Sequence, residues 1–148
     1  MKMKLAIVAL VLFSAGVLLA SKTIQQKVEP WKPSQLIEPA DLAKTIQDPQ
    51  AKKPVIISVG PGAVIKGSID MGMASNEKNL AKLKELLSKY DKNTNIVIYC
   101  GCCPFVHCPN IRPAFSLLNE MQFTNHKLLD LSTNVKVDWI NKGYPLNQ

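Results

Sequence analysis

From Pro39 onward the chain alternates short runs of branched apolar residues with longer stretches in which apolar side chains recur every three or four positions. Pro54 to Val59 (PVIISV) and Ile96 to Cys100 (IVIYC) are continuous apolar runs, the form of strands covered on both faces. Lys127 to Leu131 is a third strand candidate, and Leu36-Ile37 reads as a short edge strand. Between these lie helical patterns. Pro39-Ala40-Asp41-Leu42 opens a helix to about Gln47, with Pro suited to the first turn and Asp41 to the positive end of the dipole. Leu80, Leu83, Leu87 and Tyr90 form one stripe of a helix within Asn76 to Tyr90. Ile111, Ala114, Phe115 and Leu118 define another, from Ile111 to about Met121, and Val135 to Asn141 a last short one before Gly143. Val64 to Ser75, with Gly67 and Gly72, reads as irregular. Strands alternating with helices predict an α/β domain: three layers, a mainly parallel central sheet and helices on both faces.

The amino terminus has a different pattern. Lys2 and Lys4 are followed by Leu5 to Ala20, apolar apart from Ser14 and Gly16. This is the form of a secretory signal peptide. Sixteen helical residues span about 24 Å, short of a hydrocarbon core of about 30 Å. Cleavage after Ala20 would place Leu18 where a small residue is preferred, so removal of the leader and its retention as an anchor both stay open. The expected organisation is therefore a leader or anchor at 1–20, a Pro-rich linker at 21–35 and one domain at 36–148, facing the periplasm or the outer side of the membrane. Contact with a membrane would involve only residues 5–20.

Composition adds limits. Hydrophobic residues make up 47% of the chain and charged residues 20%, which is ordinary for a globular domain. Without Lys2 and Lys4 the net charge of +7 falls to +5, and the remaining lysines are scattered with no aromatic-interleaved stripe. A solvated surface follows, not a nucleic-acid face. There is no phosphate-binding glycine loop, no Gly-x-Ser-x-Gly and no carboxylate pair in a shared motif.

The chemistry is concentrated in one loop. All four cysteines, Cys100, Cys102, Cys103 and Cys108, lie within nine positions together with His107, between the Ile96 strand and the Ile111 helix. Bridges among them would staple no distant elements, so thiol chemistry explains the clustering better than structural disulfides. His126, after Thr124-Asn125 in a polar turn, reads as surface.

Strand, Tyr99-Cys100, loop, then Arg112 at the start of a helix resembles the rhodanese-like domain. Lys66-Gly67-Ser68-Ile69 is similar to that family's Gly-His-Ile turn. Asp138-Trp139 through Gly143-Tyr144-Pro145 is similar to its carboxyl-terminal ending. The resemblance implies a sulfurtransferase. A loop cysteine would take sulfane sulfur from a small donor such as thiosulfate, hold it as a persulfide and pass it to cyanide or to a thiol, free or on a protein, with no cofactor. Cys100 would be the nucleophile, with Cys108 as its rival, and Arg112 would stabilise the anion at the helix start. Two departures stand out. Ser58-Val59-Gly60 occupies the place of the family's Asp-x-Arg, and eleven residues separate Cys100 from Arg112, a longer loop than is usual.

The extra residues widen the options. Cys102, Cys103 and Cys108 could resolve a persulfide or oxidised Cys100 as a disulfide, and His107 could act as acid or base near neutrality. An envelope thiol–disulfide protein is the first alternative. The second is a copper or zinc site on Cys102, Cys103, His107 and Cys108. The absence of Cys-x-x-Cys-His argues against c-type haem attachment.

Overall fold

The computed structural model describes residues 28–148, so the leader at 1–20 and the start of the linker lie outside the described residues. No helix among the described residues is long and apolar enough to cross a membrane. The chain forms β1 (Leu36–Ile37), α1 (Pro39–Gln47), β2 (Val55–Ser58), β3 (Ser68–Asp70) and α2 (Glu77–Leu87), then β4 (Ile96–Tyr99), α3 (Ile111–Glu120), β5 (His126–Leu129) and α4 (Val135–Asp138). The five strands make one sheet in the order β1-β5-β4-β2-β3, and every pairing is parallel. The α/β expectation holds.

Period-two alternation divides the core into two layers. Ile57 of β2 and Val59 just after it, with Ile96 and Ile98 of β4 and Cys100 just after it, face the layer that includes Leu83 and Leu87 of α2 and Phe115 and Leu118 of α3. Ile56, Val97 and Tyr99 face the opposite layer, with Leu42 and Ala43 of α1 and Trp139. Both faces of the two central strands are covered, which is why they read as continuous apolar runs.

Local signals explain some element ends. Asn76 caps α2, its side chain accepting from the Lys78 N–H at 2.9 Å. Gly143 adopts φ of 70° and ends the last turn of the chain. Two expectations change. The stretch Val64 to Ser75, expected to be irregular, contains β3, which is too short to carry a periodicity of its own. The Pro-rich linker is packed from Glu29 onward. Trp31 is buried with ring centroids 5.8 Å from both Phe105 and Phe115, and Asn119 Nδ2 donates to the Pro30 carbonyl at 2.8 Å.

The topology also selects a location. From β2 the chain moves outward to β3, whereas from β4 it moves the other way to β5. The carboxyl ends of β2 and β4 therefore flank the point where connections diverge, the usual site of chemistry in open parallel sheets.

Candidate active site

Cys100 directly follows β4 at this point and is 1% exposed. Period-two geometry sets its direction: it shares a face with Ile96 and Ile98, while Tyr99 points to the other layer. After Cys100 the backbone runs through Gly101 to Pro104, makes a short 3-10 turn at Phe105–His107 and enters α3. Two backbone bonds moor this path. Val135 N donates to the Gly101 carbonyl at 3.0 Å, and Phe105 N to the Leu131 carbonyl at 3.1 Å. Gly101 is required there, because a Cβ would stand 2.7 Å from Val135 Cγ1.

Three sulfurs come together. The Sγ atoms of Cys100, Cys102 and Cys108 all lie within 4.8 Å of one another, and the Cys100–Cys102 separation is 3.3 Å. Cys108 is buried and Cys102 is exposed, so the cluster has two inner sulfurs and one at the rim. Cys103 is half-buried against the same core layer, with its Sγ 3.4 Å from Cys102 Sγ. All four are free thiols.

Asn110 completes the inner side. It precedes α3 but spends no side-chain bond on capping it. Its Oδ1 accepts from the Ser75 N–H at 3.0 Å, which leaves Nδ2 to donate to Cys100 Sγ at 3.5 Å. These contacts favour a single thiolate. The Cys108 thiol donating to Cys100 outweighs the cost of burial, and the Cys102 backbone N–H, Asn110 and the Cys102 thiol add to it. The Cys100 thiol is pulled from an ordinary 9.0 down to about 5. Its neighbours take the opposite course. Proximity to Cys100 and then burial push the Cys108 thiol well up, although the N–H groups of Asn110 and Ile111 oppose this. Burial first, then Cys100 and Cys103, push Cys102 up to about 12.

Gly60, after β2, closes the other wall. A Cβ there would lie 2.6 Å from Cys100 Sγ and 3.3 Å from its Cα. The cysteine sulfur fills the space a side chain would need at this position. Ser58 donates from Oγ to the Gly62 carbonyl at 2.7 Å and shapes the same turn.

Arg112 does not face this cluster in the way the sequence suggests. Its Nη2 donates to Glu29 Oε1 at 2.5 Å and to the Val106 carbonyl at 2.6 Å, and its guanidinium lies over the Trp31 ring, 5.5 Å from the centroid. The charge is engaged with the segment preceding β1, and Arg112 is not among the groups that shift Cys100. The helix start it was expected to arm instead turns its N–H groups toward Cys108.

The histidines also differ from expectation. His107 is exposed at the end of the 3-10 turn, outside the sulfur cluster. His126, expected at the surface, is buried at the start of β5 against Phe115, with its Nε2 2.9 Å from Asn119 Oδ1 and 3.3 Å from Gln35 Nε2. Burial lowers its basicity. Sequence reasoning overlooked Asn110 and Gly60. The available signals were an asparagine placed at a helix start and a glycine closing a central strand. The chain matches no family model and no curated protein.

Proposed function

We propose that the protein is a rhodanese-like sulfurtransferase or persulfide carrier, exported to the cell envelope, with Cys100 as the sulfur-carrying thiol. The observation that carries this reading is the buried Cys100 sulfur at the divergence point of a parallel sheet, with Cys102, Cys108 and the Asn110 amide gathered around it. The order of strand, cysteine loop and helix is that of the resembling family, and the run Leu5 to Ala20 supports export.

The Cys100 thiolate attacks the outer sulfur of thiosulfate or a related donor, forming the Cys100 persulfide and releasing sulfite. An acceptor thiolate then attacks the terminal sulfur, leaves as its own persulfide and restores the Cys100 thiolate. Donor N–H and S–H groups around Cys100 stabilise the anion in both forms, the task first assigned to Arg112. The exposed Cys102 marks the side from which donor and acceptor approach.

A second reading has its own observation. Cys102 is exposed and 3.3 Å from the buried Cys100 sulfur. A mixed disulfide between Cys102 and a partner thiol would be resolved by the Cys100 thiolate, giving a Cys100–Cys102 disulfide and the partner's free thiolate.

Intact mass separates the two. Reduced protein treated with thiosulfate should gain about 32 Da, the mass of one sulfur, and lose it to reductant. Cys100→Ser should abolish the gain and Cys108→Ser should keep it. The reverse pattern would transfer the role to Cys108. No gain, together with a loss of about 2 Da on exposure to a disulfide, would place the thiol–disulfide reading first.

A further inference from the structure

The triangle formed by Cys100, Cys102 and Cys108 can do more than carry sulfur. A trigonal metal ion with metal–sulfur bonds of about 2.3 Å holds its three sulfurs about 4 Å apart. Here the Cys100–Cys102 pair is at 3.3 Å and every pair is within 4.8 Å, so small side-chain rotations bring all three to one ion. Amide donors reach two of the three sulfurs, and the ion would displace the thiol protons of Cys102 and Cys108 to solvent. Cys100 receives the Cys102 N–H and Asn110 Nδ2, and Cys108 receives the N–H groups of Asn110 and Ile111. Such donors around ligating sulfurs are the outer shell that orients a metal site. Two ligands are buried on rigid supports, the end of β4 and the approach to α3, whereas the exposed Cys102 gives the ion a way in.

The donor set decides between metals. Zinc in structural sites takes four ligands. Among the described residues the mutually close set has three, and Cys103 and His107 stand outside it. Three soft thiolates in a near-planar triangle suit a soft monovalent ion.

We propose that Cys100, Cys102 and Cys108 form a three-coordinate copper(I) site. This differs from the set the sequence suggests, since Cys100 is a ligand and Cys103 and His107 are not. It also goes beyond sulfur transfer. Copper and sulfane sulfur would compete for Cys100, so bound copper would block persulfide formation.

The test is anaerobic titration of the reduced, metal-free protein with copper(I) against a chromophoric copper(I) chelator, without any sulfur donor. One equivalent should be retained. Cys100→Ser, Cys102→Ser and Cys108→Ser should each weaken retention by more than about 100-fold, beyond the loss typical of an outer-shell partner. Cys103→Ser and His107→Ala should match the parent. X-ray absorption on the loaded parent should show three sulfur neighbours at about 2.3 Å, which checks the site even if a variant fails to fold. Absence of retained copper overturns the proposal. So does dependence on Cys103 and His107 in place of Cys100, or a fourth ligand with zinc held in preference. Copper retention is measured without a sulfur donor and the thiosulfate mass gain without copper, both on the parent, so failure of this site and failure of the sulfurtransferase reading give different results.

Discussion

Two loops leave the carboxyl ends of the neighbouring strands β2 and β4, and they are held in place by different chemistry. The loop after β2 is tied by conventional hydrogen bonds. The buried Tyr99 hydroxyl accepts from Val64 N at 3.0 Å and Ile65 N at 3.2 Å and meets Ser68 Oγ at 3.0 Å. The carboxyl-terminal Asn147 clasps it from outside, accepting from Gly67 N and donating to the Ala63 carbonyl, both at 2.8 Å. The loop after β4 is moored by two backbone bonds, at Gly101 and Phe105, but inside it has sulfur where the first has oxygen. Its inner contacts are thiol to thiol and amide to thiol, longer and softer, and they favour the thiolate at Cys100. Hard donors and acceptors that satisfy one another have nothing left to react. A thiolate held only by weak donors keeps its nucleophilicity. Adjacent residues on one strand serve the two loops: Tyr99 anchors the first and Cys100 equips the second.

The largest effect expected is from Cys100→Ser. Thiolate absorbance in the parent should appear as pH rises through about 5. In the variant that low-pH wave should vanish, since Cys102 and Cys108 ionise only at higher pH. Stability has the matching sign. A thiol depressed in the folded state stabilises it increasingly as pH rises from about 5 toward 9, and that contribution disappears as pH falls through about 5. Denaturation midpoints measured across this window should therefore climb with pH in the parent and much less in Cys100→Ser. A parent without ionisation below neutrality would erase the contrast between the loops.

Gly60→Ala joins the two loops in one experiment. The added methyl would stand 2.6 Å from Cys100 Sγ, so the sulfur or the backbone must move. Overpacking of this kind costs about 1–3 kcal/mol. The absorbance midpoint should also rise, as Cys100 is displaced from its donors. An unchanged midpoint in a destabilised variant would mean that the cluster moves as a unit.

Tyr99→Phe addresses the first loop alone. It leaves the Val64 and Ile65 N–H groups without their acceptor, at about 1–3 kcal/mol for a buried unsatisfied group. The Cys100 titration should stay where it is, because Tyr99 points into the other layer. A shift of the thiolate midpoint would show that the loops are coupled through β4.

Arg112→Ala should have the smallest effect on the thiol. From sequence, its loss would raise the Cys100 midpoint by removing a facing charge. With the guanidinium bound to Glu29 and stacked on Trp31, the midpoint should instead hold. Stability should fall by about 1 kcal/mol, the range of a partly buried ion pair with a cation–π contact. Fluorescence of Trp31, read in a Trp139→Phe background, should report loosening of the segment before β1. A raised midpoint would mean that Arg112 leaves Glu29 for the cluster in solution.

What sequence alone determined is local and periodic. Continuous apolar runs marked β2 and β4 because both faces of a central strand are covered, and helical spacing marked α2 and α3. Four cysteines between a strand and a helix located the chemistry before any coordinates. Tertiary structure decided how those residues meet. Which sulfurs touch depends on the path of a loop from Gly101 to Asn110, where no periodicity constrains direction. Ionisation of Cys100 depends on Cys108 and Asn110, which lie eight and ten positions away and reach it only through the 3-10 turn and the bond from Ser75. The partner of Arg112 lies 83 positions earlier, and His126 is buried because β5 brings it against Phe115. Periodic burial is written into each segment, whereas a sulfur's charge is set by neighbours that only folding brings within a few ångströms.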